Sequence, residues 1–178
     1  METDCGSILR LSPLGEHGLI VTWSTAGHGL LRTAARDARK PGSEMAGRID
    51  LFHECELLFA PATRGDLHAL RQVSLLNPRL ELRRSLSKLR LASYMARLMD
   101  ATLEGEDRDP EWHRLISGAL DYLCRVDASA AILRHFEKRL AGLHGLCGPT
   151  LTPYQALLRH FRHLPAGREE LLRDLNAT

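Results

Sequence analysis

The sequence predicts an α+β chain, a five-stranded antiparallel barrel followed by an all-α helical domain. Two observations carry this. Over the first ~75 residues, apolar positions alternate with a period of two and are cut by short turns. After Asn77-Pro78 the apolar period changes to 3.6, and glycine and proline mark the ends of longer segments. The 178 residues suffice for two small domains, predicted at 1–78 and 79–178.

In the first half, Ile8–Leu11 is a short apolar run closed by Ser12-Pro13-Leu14-Gly15. Leu19–Thr25 follows, with Leu19, Val21 and Trp23 on one face. Because Trp23 shares that face, it reads as core rather than as a stacking platform. Ala26-Gly27-His28-Gly29 turns the chain into Leu30–Arg36. A fourth strand, Ile49–Phe59, puts Leu51, His53, Cys55, Leu57 and Phe59 on one face and the solubilising Glu54 and Glu56 on the other. Ala62-Thr63-Arg64-Gly65-Asp66 leads into Leu67–Leu76. Five such strands leave no room for crossover helices, which suggests a small antiparallel barrel or sandwich, and the OB-fold is the five-stranded barrel of this size.

In the second half, Arg79–Leu103 carries an apolar stripe from Leu82 to Leu103. Asp109-Pro110-Glu111 starts a helix running to about Arg125. A third helix runs from Asp127 or Ser129 to about Leu143 and is stopped by Gly145. Thr152-Pro153 opens a fourth, Tyr154–His163, and Arg168–Leu175 forms a fifth.

The net charge of +2, from 24 basic and 22 acidic residues, excludes a uniformly basic nucleic-acid protein but not a local basic face. Twenty-one of the 24 bases are Arg, whose planar fork grips phosphate. Residues 1–98 carry a net +4 and residues 99–178 a net −2. Arg32, Ala34 and Arg36 share one face of the third strand, which runs into the basic loop Asp37-Ala38-Arg39-Lys40-Pro41-Gly42-Ser43. Such a mobile, basic loop suits a phosphate backbone; the alternative is an ordinary solvated surface. Arg48, Arg64 and Arg71 are scattered through the strands. Along the first helix Arg79, Arg83, Arg90 and Arg97 fall within about 40° of one another and have no acidic partner four residues on.

No apolar run approaches the ~20 residues of a membrane span, and Met1–Ser7 does not read as a signal peptide. Cys5, Cys55, Cys124 and Cys147 are widely spaced and read as reduced thiols. No nucleotide-binding, serine-hydrolase or zinc-protease motif occurs, and His160 and His163 lack a third metal ligand at a recognisable spacing. No catalytic site, metal or cofactor is expected.

The run Ile8-Leu9-Arg10, Gly15-Glu16, Leu19-Ile20-Val21-Thr22, Thr25 and Gly27-His28-Gly29-Leu30-Leu31-Arg32 resembles the start of the RecO family of bacterial recombination mediators. The segment Ala34–Ser43 with Ala46-Gly47, then Leu91-Ala92-Ser93-Tyr94, and Phe136-Glu137-Lys138-Arg139-Leu140 with Leu143 and Gly145, extend the resemblance over roughly residues 5–150. It implies an N-terminal OB-fold and a helical domain, binding of single- and double-stranded DNA, strand annealing, and help in loading RecA. It also implies two partners, RecR and the acidic C-terminal tail of the single-stranded-DNA-binding protein SSB, and a cytoplasmic, nucleoid-associated location.

Two departures accompany it. Asp37 stands where the family commonly has a small residue, and only Cys147 remains where many members carry a cysteine zinc site. The reading is therefore a shortened member without the zinc-binding cysteines. Expected DNA contacts are Arg32, Arg36, Arg39, Lys40, Arg48 and Arg71. Arg83, Arg90 and Arg97 are expected to rim a groove for the partner's tail. The alternative is a protein-interaction adaptor of the same fold with little DNA affinity.

Overall fold

The computed structural model describes residues 1–103 and 108–176. The chain divides into two compact units. One holds Met1–Arg79 and the start of a helix as far as Arg114; the other holds Leu80–Leu103 and the chain from Leu115 onward. Among the described residues, no helix is long and apolar enough to cross a membrane.

The first unit is a closed barrel of β1 (Glu2–Leu14), β2 (Gly18–Thr25), β3 (Gly29–Ala35), β4 (Glu54–Ala60) and β5 (Leu67–Asn77), in the order β1-β2-β3-β5-β4. This is the OB-type barrel that the alternating pattern predicts. All neighbours are antiparallel except β3 and β5. A ring with an odd number of strands cannot alternate direction all the way round, so at least one seam is parallel. Its core holds Ile8, Val21, Trp23, Leu57, Phe59 and Val73. Trp23 is fully buried, and its Nε1–H donates to Thr33 Oγ1 at 2.9 Å, so the indole is core, as its alternation implies.

Three strand and loop expectations change. β1 is far longer than Ile8–Leu11: its first half pairs with β4 and its second with β2, which takes one strand across a barrel corner. At a bulge between Ile8 and Arg10 the adjacent Ile8 and Leu9 are both buried, Ile8 in the barrel core. β4 starts at Glu54 rather than Ile49, because Phe52 has a φ of 69° and breaks the extended backbone. The basic loop is not loose. Successive turn hydrogen bonds, Lys40 to Asp37, Ser43 to Lys40, Ala46 to Ser43 and Arg48 to Met45, pin it, while Met45, Ile49 and Leu51 pack on the barrel core.

The helical elements are α1 (Leu86–Thr102), α2 (Pro110–Arg125), α3 (Ala130–Leu143), α4 (Pro153–His160) and α5 (Arg168–Asn176). α2, α3 and α5 follow the sequence pattern closely. α4 opens on a capping box between Thr152 and Gln155 and ends at His160, before the expected His163. The expected first helix is split. Leu80–Arg84 forms a 3₁₀ turn, and Ser85, extended at φ −138°, caps α1 by accepting from Lys88 N–H. Arg79 lies outside any helix, with a φ of 44°.

Candidate nucleic-acid interface

Along β3, Leu31, Thr33 and Ala35 are buried and Arg32 and Ala34 are not, so the two-residue period points Arg32, and next along the chain the exposed Arg36, out of the barrel. The parallel register pairs Arg32 with Leu67 and Ala34 with Ala69. The ladder ends there, and the exposed Arg36 follows directly after the last residue of β3.

Arg71 faces outward for a reason hidden from the sequence. On β4, Leu58 pairs with Gln72 and Phe59 with Leu70, so Arg71 is the extra residue of a bulge. Leu70 and Val73 both point inward, and Arg71 and Gln72 lie exposed between them.

The six expected DNA contacts differ in what already holds them. Arg36, Lys40 and Arg71 are exposed and make no side-chain ion pair among the described residues. Arg32 Nη1 is paired at 2.8 Å with Asp66 Oδ2 at the start of β5, while its buried Nε has no hydrogen-bond partner. The Arg32 hydrogen bond holds the Asp66 carboxyl below the usual range. Arg39 Nη2 donates to Gly15 O and Glu16 O, stapling the β1–β2 turn. Arg48 Nη1 donates to Val73 O at 3.1 Å, and its own carbonyl accepts from His53 Nδ1 and Cys55 Sγ. Arg39 and Arg48 are thus structural ties as well as surface cations.

Sequence reasoning also missed a buried ion network in this unit. The Arg79 guanidinium, its side chain fully buried, donates to Ser7 Oγ, Phe52 O and the Glu54 carboxylate. His113, in the first turn of α2, places Nε2 3.6 Å from Glu54 Oε1 and Nδ1 2.8 Å from Ser24 O. Glu54, expected only to aid solubility, anchors this network. Arg79 therefore leaves the proposed row of helix cations.

In the helical unit, a groove of about 410 Å³ between α1 and α5 is lined by Leu86, Leu89, Tyr94 and Leu171, with Arg90 and Arg97 on its rim. Arg97 is exposed, its Nε 3.4 Å from Ser93 O and its guanidinium 5.8 Å from the Tyr94 ring centroid. Arg90 donates to Asp174 and, at 2.9 Å, to Glu170. The acids absent from α1 itself come from α5, which spacing along one helix cannot reveal. Arg83 is exposed on the 3₁₀ turn and does not line the groove. Among the described residues, no three His, Cys, Asp or Glu side chains are grouped to hold a metal ion.

Residues 1–79 match the family model described as Recombination protein O N terminal, and residues 83–151 match the one described as Recombination protein O C terminal. The chain is 36% identical over 118 residues to a DNA repair protein RecO of Cyanothece sp., covering 66% of this chain and 40% of that protein. It is 31% identical over 159 residues to that of Syntrophus aciditrophicus, covering 84% and 61%. With that of Roseiflexus sp. it shares 34% identity over 154 residues, covering 82% and 53%. The chain spans about half the length of the curated relatives it matches.

Proposed function

Since the chain belongs to the RecO family, we propose that it serves DNA repair as a non-enzymatic recombination mediator in the cytoplasm, at the nucleoid. In this reading it binds single- and double-stranded DNA, anneals complementary strands, and assists RecA loading with RecR. The observation that carries the reading is the shared outward face of β3 and β5. It carries Arg32 on β3 and the bulged, exposed Arg71 on β5, with the exposed Arg36 and Lys40 on the chain that follows β3. Guanidinium and ammonium groups on one surface neutralise phosphates without reading bases. Lowering the repulsion between two strands is how a protein without catalytic groups speeds annealing.

In the same reading, the groove between α1 and α5 receives the acidic, apolar-ended tail of SSB. Leu86, Leu89 and Leu171 offer apolar surface, and Arg90 and Arg97 offer forks for carboxylates.

The second reading, an adaptor with little DNA affinity, is favoured by the ties already on Arg32, Arg39 and Arg48. A salt titration of fluorescent single-stranded DNA binding separates the two. Under the mediator reading, Arg36→Ala, Lys40→Ala and Arg71→Ala each weaken binding, and each lost phosphate contact lowers the log–log salt slope by about 0.7. Unchanged affinity and slope in the triple variant remove the mediator reading. SSB-tail binding by a parent protein with no DNA affinity at physiological salt selects the adaptor.

A further inference from the structure

We infer that α5 is a built-in competitor for the groove: Glu170 and Asp174 hold Arg90 as an incoming acidic tail would, and the tail binds by displacing them. This rests on the reading of the groove as a site for an acidic tail.

Four observations support it. Glu170 and Asp174 are four residues apart, hence on one face of α5, and both bond the same guanidinium. Glu170 and Arg90 line the groove themselves, so the pair lies inside the site rather than behind it. Glu170 is exposed and Asp174 part-exposed, at 62% and 43% for their side chains, so both carboxylates are open to solvent and to an incoming acid. The helix itself is held separately. Arg168, in its first turn, makes a two-pronged bond to the buried Glu137 at 2.6 and 2.8 Å and stacks over the Tyr154 ring at 3.9 Å. Leu171, Leu172 and Leu175 are buried. An anchored helix with releasable carboxylates has the form of a gate that works by exchange of side chains. The C-terminal family match ends at residue 151, so α5 belongs to a part of the chain that this match does not cover.

The gate also sets selectivity. A ligand that brings only apolar surface leaves the Arg90 pairs intact, whereas one with carboxylates replaces them like for like. A tail with several acids competes best.

The test uses the full chain and a fluorescein-labelled acidic nonapeptide that ends in an apolar residue with a free carboxylate. Affinity is read by anisotropy for the parent, Glu170→Gln, Asp174→Asn, the double variant, and Glu169→Gln. Glu169 also lies in α5, but it bonds Arg168 rather than Arg90, so its variant reports the general effect of removing a negative charge. The double variant is expected to bind about threefold to tenfold tighter than the parent, in keeping with two exposed ion pairs released. Glu169→Gln is expected to change little. Equal tightening by Glu169→Gln, or no tightening in the double variant of a parent that binds, overturns the gate and leaves the groove reading standing. Absence of binding in parent and double variant alike removes the groove reading and the gate with it. Binding by the double variant alone supports both.

Discussion

Arg32 Nη1 lies 2.8 Å from Asp66 Oδ2, so the central cation of the β3 face is already bonded to an exposed carboxylate. Asp66→Asn removes that competitor and a charge that repels phosphate. It is expected to raise affinity for single-stranded DNA by about twofold to fivefold at moderate salt. Weaker or unchanged binding in a fluorescence titration counts against a role for Arg32.

Glu137 and Arg168 form a buried ion pair in the helical unit, with side chains 2% and 14% exposed. Glu137→Ala removes the two-pronged partner and leaves Arg168 only the exposed Glu169, and it is expected to cost about 3–5 kcal/mol, the range for breaking buried pairs. Thermal unfolding followed by circular dichroism reads it. A loss under about 1 kcal/mol, the scale of a surface pair, shows that the remaining Glu169 contact suffices for Arg168.

Acid sensitivity is expected at the start of β1. Burial of Asp4 works against its charge, but hydrogen bonds from His28 and from the N–H groups of Cys5 and Gly27 outweigh that and hold its carboxyl below the usual range. A group with a lowered folded-state pKa stabilises above its unfolded pKa, and that contribution disappears as pH falls through the folded value. Denaturant melts from neutral pH to below the ordinary aspartate range should show this loss in the parent, and a flatter profile in Asp4→Asn. Parallel profiles for the two rule Asp4 out as its source.

The four cysteines should separate by reactivity. Burial, reinforced by the Glu54 carboxylate, pushes the Cys55 thiol up to about 12, whereas Cys147 is exposed. Since the thiolate is the reactive form, an alkylating agent at pH 8 should label Cys147 within minutes and leave Cys55 unlabelled until the chain unfolds. Mass spectrometry of the native protein decides; early labelling of Cys55 shows that β4 opens.

Alternation made much of this structure legible, including the five strands, the inward Trp23 and the outward Arg32 and Arg36. Each of these depends on neighbours two residues apart. The cap at Asp109 was legible for the same reason, since helix starts are local chemistry, whereas the start of α3 stayed open between Asp127 and Ser129, and Ser129 holds the cap position with no side-chain hydrogen bond. What escaped was set by distant segments. Asp66 meets Arg32, and Glu170 with Asp174 meets Arg90, only after the chain has folded back. The Arg71 bulge depends on a register between two strands, and the burial of Arg79 depends on groups from β1 and β4 together with Phe52. The continuous stripe from Leu82 misled for a related reason, because a 3₁₀ turn followed by a capped helix carries nearly the same apolar spacing as one long helix.

The parallel seam between β3 and β5 runs for only three residue pairs, Arg32–Leu67, Thr33–His68 and Ala34–Ala69, and past it Arg48 bonds the Val73 carbonyl in place of a strand. The ring is therefore closed by its shortest ladder, and local opening should concentrate there. Amide hydrogen exchange of Leu67–Ala69 is expected to be the fastest in the barrel ladders. Arg36 and Arg71 belong to the two sides of this joint, so a polyanion spanning them would act as a clamp. Slowed exchange at the seam upon DNA addition would then report binding from inside the barrel wall, without a label on the nucleic acid.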